Sequence, residues 1–173
     1  MERKGAVTFK GNPLTLLGTE LKKGDKAPEF RAIGKDLKEV SLRDFAGKAK
    51  IISVTPSLDT AVCDAQARRF NQEAAKLPGD VAVINISMDL PFAINRFCTT
   101  AGIENIQTLS DHRDASFGMG YGVLIKELRL LARSIFVIDS NDVIRHIELV
   151  KEVTSSVDFD AALKAAEGLL AKR

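Results

Sequence analysis

Residues 50–54 (KIISV) set apolar and β-branched side chains next to one another without alternation. That is the pattern of a strand buried on both faces. Residues 81–86 (VAVINI) repeat it. Between them, DAQARRFNQEAAKL at 64–77 is rich in helix formers, and Pro78-Gly79-Asp80 ends the run. Asp89 can cap a second helix that runs through Cys98, with Pro91 in its first turn. Residues 106–109 read as a short strand. Residues 134–139 (SIFVID) and 143–150 (VIRHIELV) flank the turn signal Ser140-Asn141-Asp142 and predict a hairpin. A shorter hairpin is predicted at the start, from 6–9 and 14–17 around Gly11-Asn12-Pro13. A polar connection at 22–28 follows it. Residues 158–172 form a last helix with an Ala/Leu face.

The predicted order is hairpin, β, α, β, α, β, β, α. Strands alternating with helices, then an antiparallel pair and a closing helix, imply an α/β sandwich around a mixed central sheet. A thioredoxin-like arrangement satisfies that order, and periodicity alone does not separate it from other small α/β sheets. With no internal repeat and no long linker, residues 1–173 read as a single domain.

Composition narrows the function. The 173 residues are 45% hydrophobic and 28% charged, with 25 basic and 23 acidic side chains and a net charge of +2. So even a balance gives no support to nucleic acid or an anionic membrane as partner. Apolar runs such as Ile135-Phe136-Val137-Ile138 are too short to span a bilayer. The basic N-terminus lacks the apolar stretch of a signal peptide. A cytoplasmic location is the expectation, and there a structural disulfide is disfavoured.

That leaves two cysteines, Cys63 and Cys98, as candidate chemistry. An ordinary thiol is only about 3% thiolate at neutral pH, so a nucleophilic cysteine needs help. The stretch VTPSLDTAVC delivers Cys63 to the start of a helix, in the first turn if Asp59 or Thr60 is the cap. There, unpaired backbone N–H groups and the positive end of the helix dipole favour an anion. Thr60 stands three residues earlier, a spacing that folds its hydroxyl back toward the sulfur. Pro56 stiffens the loop and can shield the thiol from water. A buried, inert Cys63 is the competing reading.

These residues resemble the thiol peroxidase subfamily of peroxiredoxins. PSLDTAVC fits the pattern Pro, three residues, Thr, two residues, Cys. The likeness extends through FKGNPLTL, ISMDLPFAINRFC, LSDHRDASFGMGYGV and LLARSIFVIDSNDVI, nearly the whole chain. The resemblance implies a thioredoxin-like fold, with a mixed central β-sheet flanked by helices and an N-terminal β-hairpin. It implies reduction of hydroperoxides by a thiol, with no metal, flavin or haem cofactor. Cys63 would be the peroxidatic cysteine and Thr60 would hydrogen-bond thiolate and peroxide. Arg133 would steady the developing negative charge, Pro56 would shape the pocket, and the N–H groups of Val62 and Cys63 would complete it. Cys98 would resolve the Cys63 sulfenic acid as an intrachain disulfide, which requires the start of the Cys63 helix to unwind. Thioredoxin is the implied reductant and a homodimer the implied assembly.

Two segments depart from that pattern: the loop at 77–80 is about one residue longer, and the connection at 123–131 is shorter and lacks glycines. If the connection bordered the substrate pocket, it would bear on peroxide preference. Arg68 and Arg69 read as a solvated helix face, with one available to a nearby carboxylate. His112 and His146 read as structural or solvated. Phe92, Phe97 and Phe117 read as core, or as lining for an apolar pocket or a dimer contact, and Asp111 with Arg113 as a loop-bracing ion pair. The sequence contains no nucleotide-binding glycine motif and no C-x-x-C. A redox-sensing or holdase module on the same fold, and a peroxidase using Cys63 alone, are the alternatives.

Overall fold

The computed structural model describes residues 1–171. An N-terminal hairpin, β1 (Glu2–Phe9) and β2 (Asn12–Leu17), precedes β3 (Arg31–Gly34) and β4 (Glu39–Ser41). A 3₁₀ turn at Leu42–Phe45 leads to β5 (Ala49–Val54) and α1 (Ala61–Ala74). Then come β6 (Val81–Ser87), α2 (Pro91–Ala101), β7 (Gln107–Ser110) and the short α3 (Ser116–Gly120). The chain ends with β8 (Leu124–Ile125), β9 (Ser134–Ile138), β10 (Ile144–Leu149) and α4 (Phe159–Leu170). The expected last residue of the final helix, Lys172, lies outside the described residues.

Seven strands form one mixed sheet in the order β10-β9-β5-β6-β7-β3-β4. Strand β5 pairs in parallel with β6 and antiparallel with β9, and all six of its residues are buried. The unalternating run KIISV thus marks a strand with both edges paired and both faces covered. Alternation divides its neighbours between two cores. Ile51, Ile135 and Val137 pack with Ala67 and Phe70 of α1, Ile94 and Cys98 of α2, and Ala162 and Ala166 of α4. Ile52, Val54, Phe136 and Ile138 pack on the other face with Val7, Leu16, Phe117, Tyr121 and Leu124.

The thioredoxin-like mixed sheet and the hairpin agree with expectation, and the hairpin joins β8 in a separate three-stranded sheet. Strands β3, β4 and β8 and helix α3 carry no period long enough to read. The connection at 123–131 contains β8 and packs under the hairpin through Val123, Leu124, Ile125 and Leu131, on the face opposite Cys63. Gly122 turns the chain into it with φ of 67°, and a Cβ there would stand 2.2 Å from the Thr19 carbonyl oxygen. Phe117 is core, stacked on Tyr121 at 4.2 Å between ring centroids. Phe92 is not core: it follows Pro91 on the outer face of α2 and is 72% exposed, which leaves the pocket-lining and dimer-contact readings.

Candidate active site

The site forms where β5 ends and β9 begins. Val54 pairs with Ser134, so the antiparallel register brings Thr55 and Pro56 to the same sheet edge as Arg133. Pro56 is buried there. Arg133 continues the alternation of Ile135 and Val137, and therefore points into the helix layer. Helix α1 starts in that layer, three residues earlier than its composition suggests. Thr60 is its N-cap and accepts from the Cys63 N–H at 3.4 Å. Cys63 is the third helical residue, in the first turn, and is fully buried. Its backbone N–H is one of those the helix itself leaves unpaired.

Arg133 is 2% exposed, and each of its three guanidinium nitrogens donates a hydrogen bond. Nη2 donates to Cys63 Sγ at 3.1 Å, Nη1 to Gln66 Oε1 at 2.8 Å, and Nε to the Val153 carbonyl at 3.0 Å. The guanidinium therefore meets the sulfur with its plane fixed by two other partners. Gln66, one turn beyond Cys63 on α1, is 1% exposed and donates through Nε2 to Ser53 Oγ at 2.7 Å. The polar line continues to Asn85, which donates to the Ser53 carbonyl at 3.2 Å. Sequence reading missed Gln66. The signal was there: position 66 falls three residues after Cys63, on the face of α1 that meets the sheet.

The Thr60 hydroxyl accepts from the Cys63 N–H and donates to the Ser57 carbonyl at 3.1 Å. In this conformation it holds the turn that leads into the helix. Cys98 is also free and buried, on the inner face of α2, where its thiol shares a hydrogen bond with Thr108 Oγ1 at 3.2 Å. Between the start of α1 and the end of α2 runs a groove of about 440 Å³, lined by Leu58, Thr60, Asp64, Arg68 and Phe97. Arg68 pairs with Asp64 at 2.5 Å, and Arg69 with Glu73 at 3.1 Å.

Two expectations need correction. Asp89 does not cap α2, whose N-cap is Leu90, with Pro91 in the first helical position. The Asp89 carboxylate is occupied by the Leu58 N–H and by the Ser57 and Ser87 hydroxyls. Asp111 does not spend its charge on Arg113. It is 1% exposed and accepts from the backbone N–H groups of Phe117 and Gly118. His112 shares a 2.8 Å hydrogen bond through Nδ1 with Ser110 Oγ, and His146 lies on β10, away from Cys63.

Comparison with known proteins follows the same residues. The Redoxin family profile matches residues 22–164. The chain is 57% identical over 165 residues to a thiol peroxidase of Halalkalibacterium halodurans, covering 95% of this chain and 99% of that one. It is 56% identical over 164 residues to a thiol peroxidase of Bacillus subtilis, covering 95% and 98%. Among solved structures, a peroxiredoxin-like protein from Aquifex aeolicus superposes with a TM-score of 0.89 at 38% identity, over 95% of this chain and 97% of that one.

Proposed function

The chain belongs to the Redoxin family, and from that premise we propose that it is a thiol peroxidase. It reduces hydrogen peroxide and organic hydroperoxides to water and alcohols. The observation that carries this reading is the Arg133 guanidinium 3.1 Å from the buried Cys63 Sγ, in the first turn of a helix. Cationic and N–H groups converge there on the atom that must carry negative charge as thiolate, and on the oxygens that acquire it as the peroxide bond breaks.

In the proposed cycle the Cys63 thiolate attacks the terminal peroxide oxygen. The S–O bond forms as the O–O bond breaks, and the departing alkoxide or hydroxide takes up a proton. Thr60, released from the Ser57 carbonyl, can turn its hydroxyl toward the incoming oxygen, and Pro56 walls the loop. Cys98 then attacks the Cys63 sulfenic sulfur, water leaves, and an intrachain disulfide results. Both thiols are buried against the sheet layer, so closing the bond requires the start of α1 to unwind and Cys98 to leave Thr108. A dithiol reductant of the thioredoxin class restores both thiols. The 1–173 chain acts as a single domain, as a homodimer and in the cytoplasm. No helix among the described residues is long and apolar enough to cross a membrane.

Intact mass and a disulfide map before and after one equivalent of peroxide test the cycle. Loss of two hydrogens with a crosslinked Cys63–Cys98 peptide is expected. Cys63→Ser should abolish peroxide consumption, and Cys98→Ser should accumulate sulfinic acid or intermolecular disulfides. Normal turnover by Cys63→Ser would overturn the enzyme reading. Oxygen gained on Cys63 with Cys98 still free would overturn the resolving role alone.

A further inference from the structure

The turn at 57–60 that leads into α1 packs through buried Leu58, and one outside side chain hydrogen-bonds it. Asp89 Oδ2 accepts from the Leu58 N–H at 2.8 Å, and Oδ1 accepts from the Ser57 hydroxyl at 3.0 Å. The other hydrogen bonds of that turn among the described residues stay inside it or run into the helix. The Thr60 N–H and hydroxyl both reach the Ser57 carbonyl, and Asp59 N–H reaches Ser57 Oγ. Asp89 itself is anchored to the sheet. Ser87, the last residue of β6, donates its hydroxyl to Oδ2 at 2.8 Å, and Ser110, the last residue of β7, donates to the Asp89 carbonyl. A charged acceptor tied to two strand ends thus grips the loop whose release the disulfide requires. The far end of the movable segment is pinned as well. Asn71 accepts from the Glu104 and Asn105 N–H groups at 3.0 and 2.8 Å, joining α1 to the loop after α2.

We propose that Asp89 is a positioning residue, a latch that holds the Cys63 loop folded and so sets how long a Cys63 sulfenic acid waits before Cys98 reaches it. The proposal rests on the peroxidase reading and deepens it. While the latch is closed, the sulfenate stays in the pocket facing a second peroxide. That second reaction forms another S–O bond, breaks another O–O bond, and leaves sulfinic acid and alcohol or water. When the latch opens, residues 57–66 unwind beside the groove and the disulfide forms instead. One side chain therefore sets the partition between hyperoxidation and turnover.

Asp89→Asn tests it, because the amide keeps the shape and one acceptor oxygen but has no negative charge, so the bond from the Leu58 N–H loses its charge assistance. Ser57→Ala removes one donor and leaves the carboxylate, and serves as the second variant. In the full chain, hydrogen exchange at residues 58–66 of the reduced protein should quicken by about tenfold in Asp89→Asn, the factor one charge-assisted hydrogen bond carries. The quickening should be smaller in Ser57→Ala. During peroxide turnover with a dithiol reductant, the sulfinic fraction at Cys63 should fall by a similar factor. Unchanged exchange in both variants would overturn the latch, and faster exchange with an unchanged sulfinic-to-disulfide ratio would overturn its role in the partition. A wild-type protein that forms no Cys63–Cys98 disulfide would fail the underlying cycle, and the exchange rates would still decide the latch.

Discussion

Arg133 and Cys63 are 70 positions apart in sequence and 3.1 Å apart in space, joined by a hydrogen bond from Nη2 to Sγ inside the protein. Sheet register makes the meeting: β5 and β9 are antiparallel neighbours, so the end of one and the start of the other share an edge. Arg133→Lys keeps a positive charge but loses the planar fork that Gln66 and Val153 hold. A hydrogen bond to a charged group is worth about 1.5–3 kcal/mol. Oxidation of Cys63 by peroxide should therefore slow by about 10- to 100-fold in single-turnover stopped flow, with the fold retained by circular dichroism.

Gln66 reaches the sulfur through Arg133, whose Nη1 donates to its Oε1. Gln66→Met fills the same space without the acceptor at Nη1, and should slow the same step by about tenfold or less, since Val153 still holds Nε. The decisive reading is the double variant. If Gln66 works by aiming the guanidinium, Gln66→Met should cost little once Arg133 is Lys, so the two effects should not add. Additive losses would mean that Gln66 serves only the packing of α1 on Ser53.

Much of this site could be read along the chain, and the unread part has a physical reason. The runs at 50–54 and 81–86 marked the central strands because burial on both faces leaves no polar positions. The helix after Cys63 was legible from composition, and its first turn from the two capping residues Asp59 and Thr60, of which the fold uses Thr60. Strands β3, β4 and β8 are four residues or fewer and take their conformation from the neighbours that pair with them. Asp89 shows the converse. A carboxylate one residue before Leu90-Pro91 suits a local cap, yet donors 31 and 32 positions away claim it. Local preference is a weak prior against partners that the fold supplies.

We propose two separable roles for Thr60. As N-cap of α1 it is worth about 1 kcal/mol of stability. As a hydroxyl near Cys63 it would turn to a bound peroxide once released from the Ser57 carbonyl. Thr60→Ser retains both and should keep stability and rate close to those of the parent. Thr60→Val should lose about 1 kcal/mol in urea unfolding and also slow Cys63 oxidation. Thr60→Asn caps well but moves the polar group, and should restore the stability without the rate. Recovery of the full rate in Thr60→Asn would reduce Thr60 to a cap.

Asp111 gives a pH dependence of definite sign. Burial pushes its carboxyl up from the usual 3.8 to about 6, against the opposing pull of the Gly118 and Phe117 N–H groups. The folded protein then holds this proton more tightly than the unfolded chain. The contribution is fully present below about pH 4 and is lost as pH rises through about 6. The shift corresponds to about 3 kcal/mol. Half-buried Glu152 runs the other way, because the Gly11 and Thr154 N–H groups hold its carboxyl below the usual range and favour the folded state at higher pH. The raw stability curve mixes such terms, so the measurement is a difference. Wild type and Asp111→Asn are unfolded in urea between about pH 4 and 7, and one stability is subtracted from the other. Wild type should lose ground to Asp111→Asn as pH rises across that interval. If it gains instead, the two backbone N–H groups outweigh burial, and Asp111 works as an ordinary capping carboxylate.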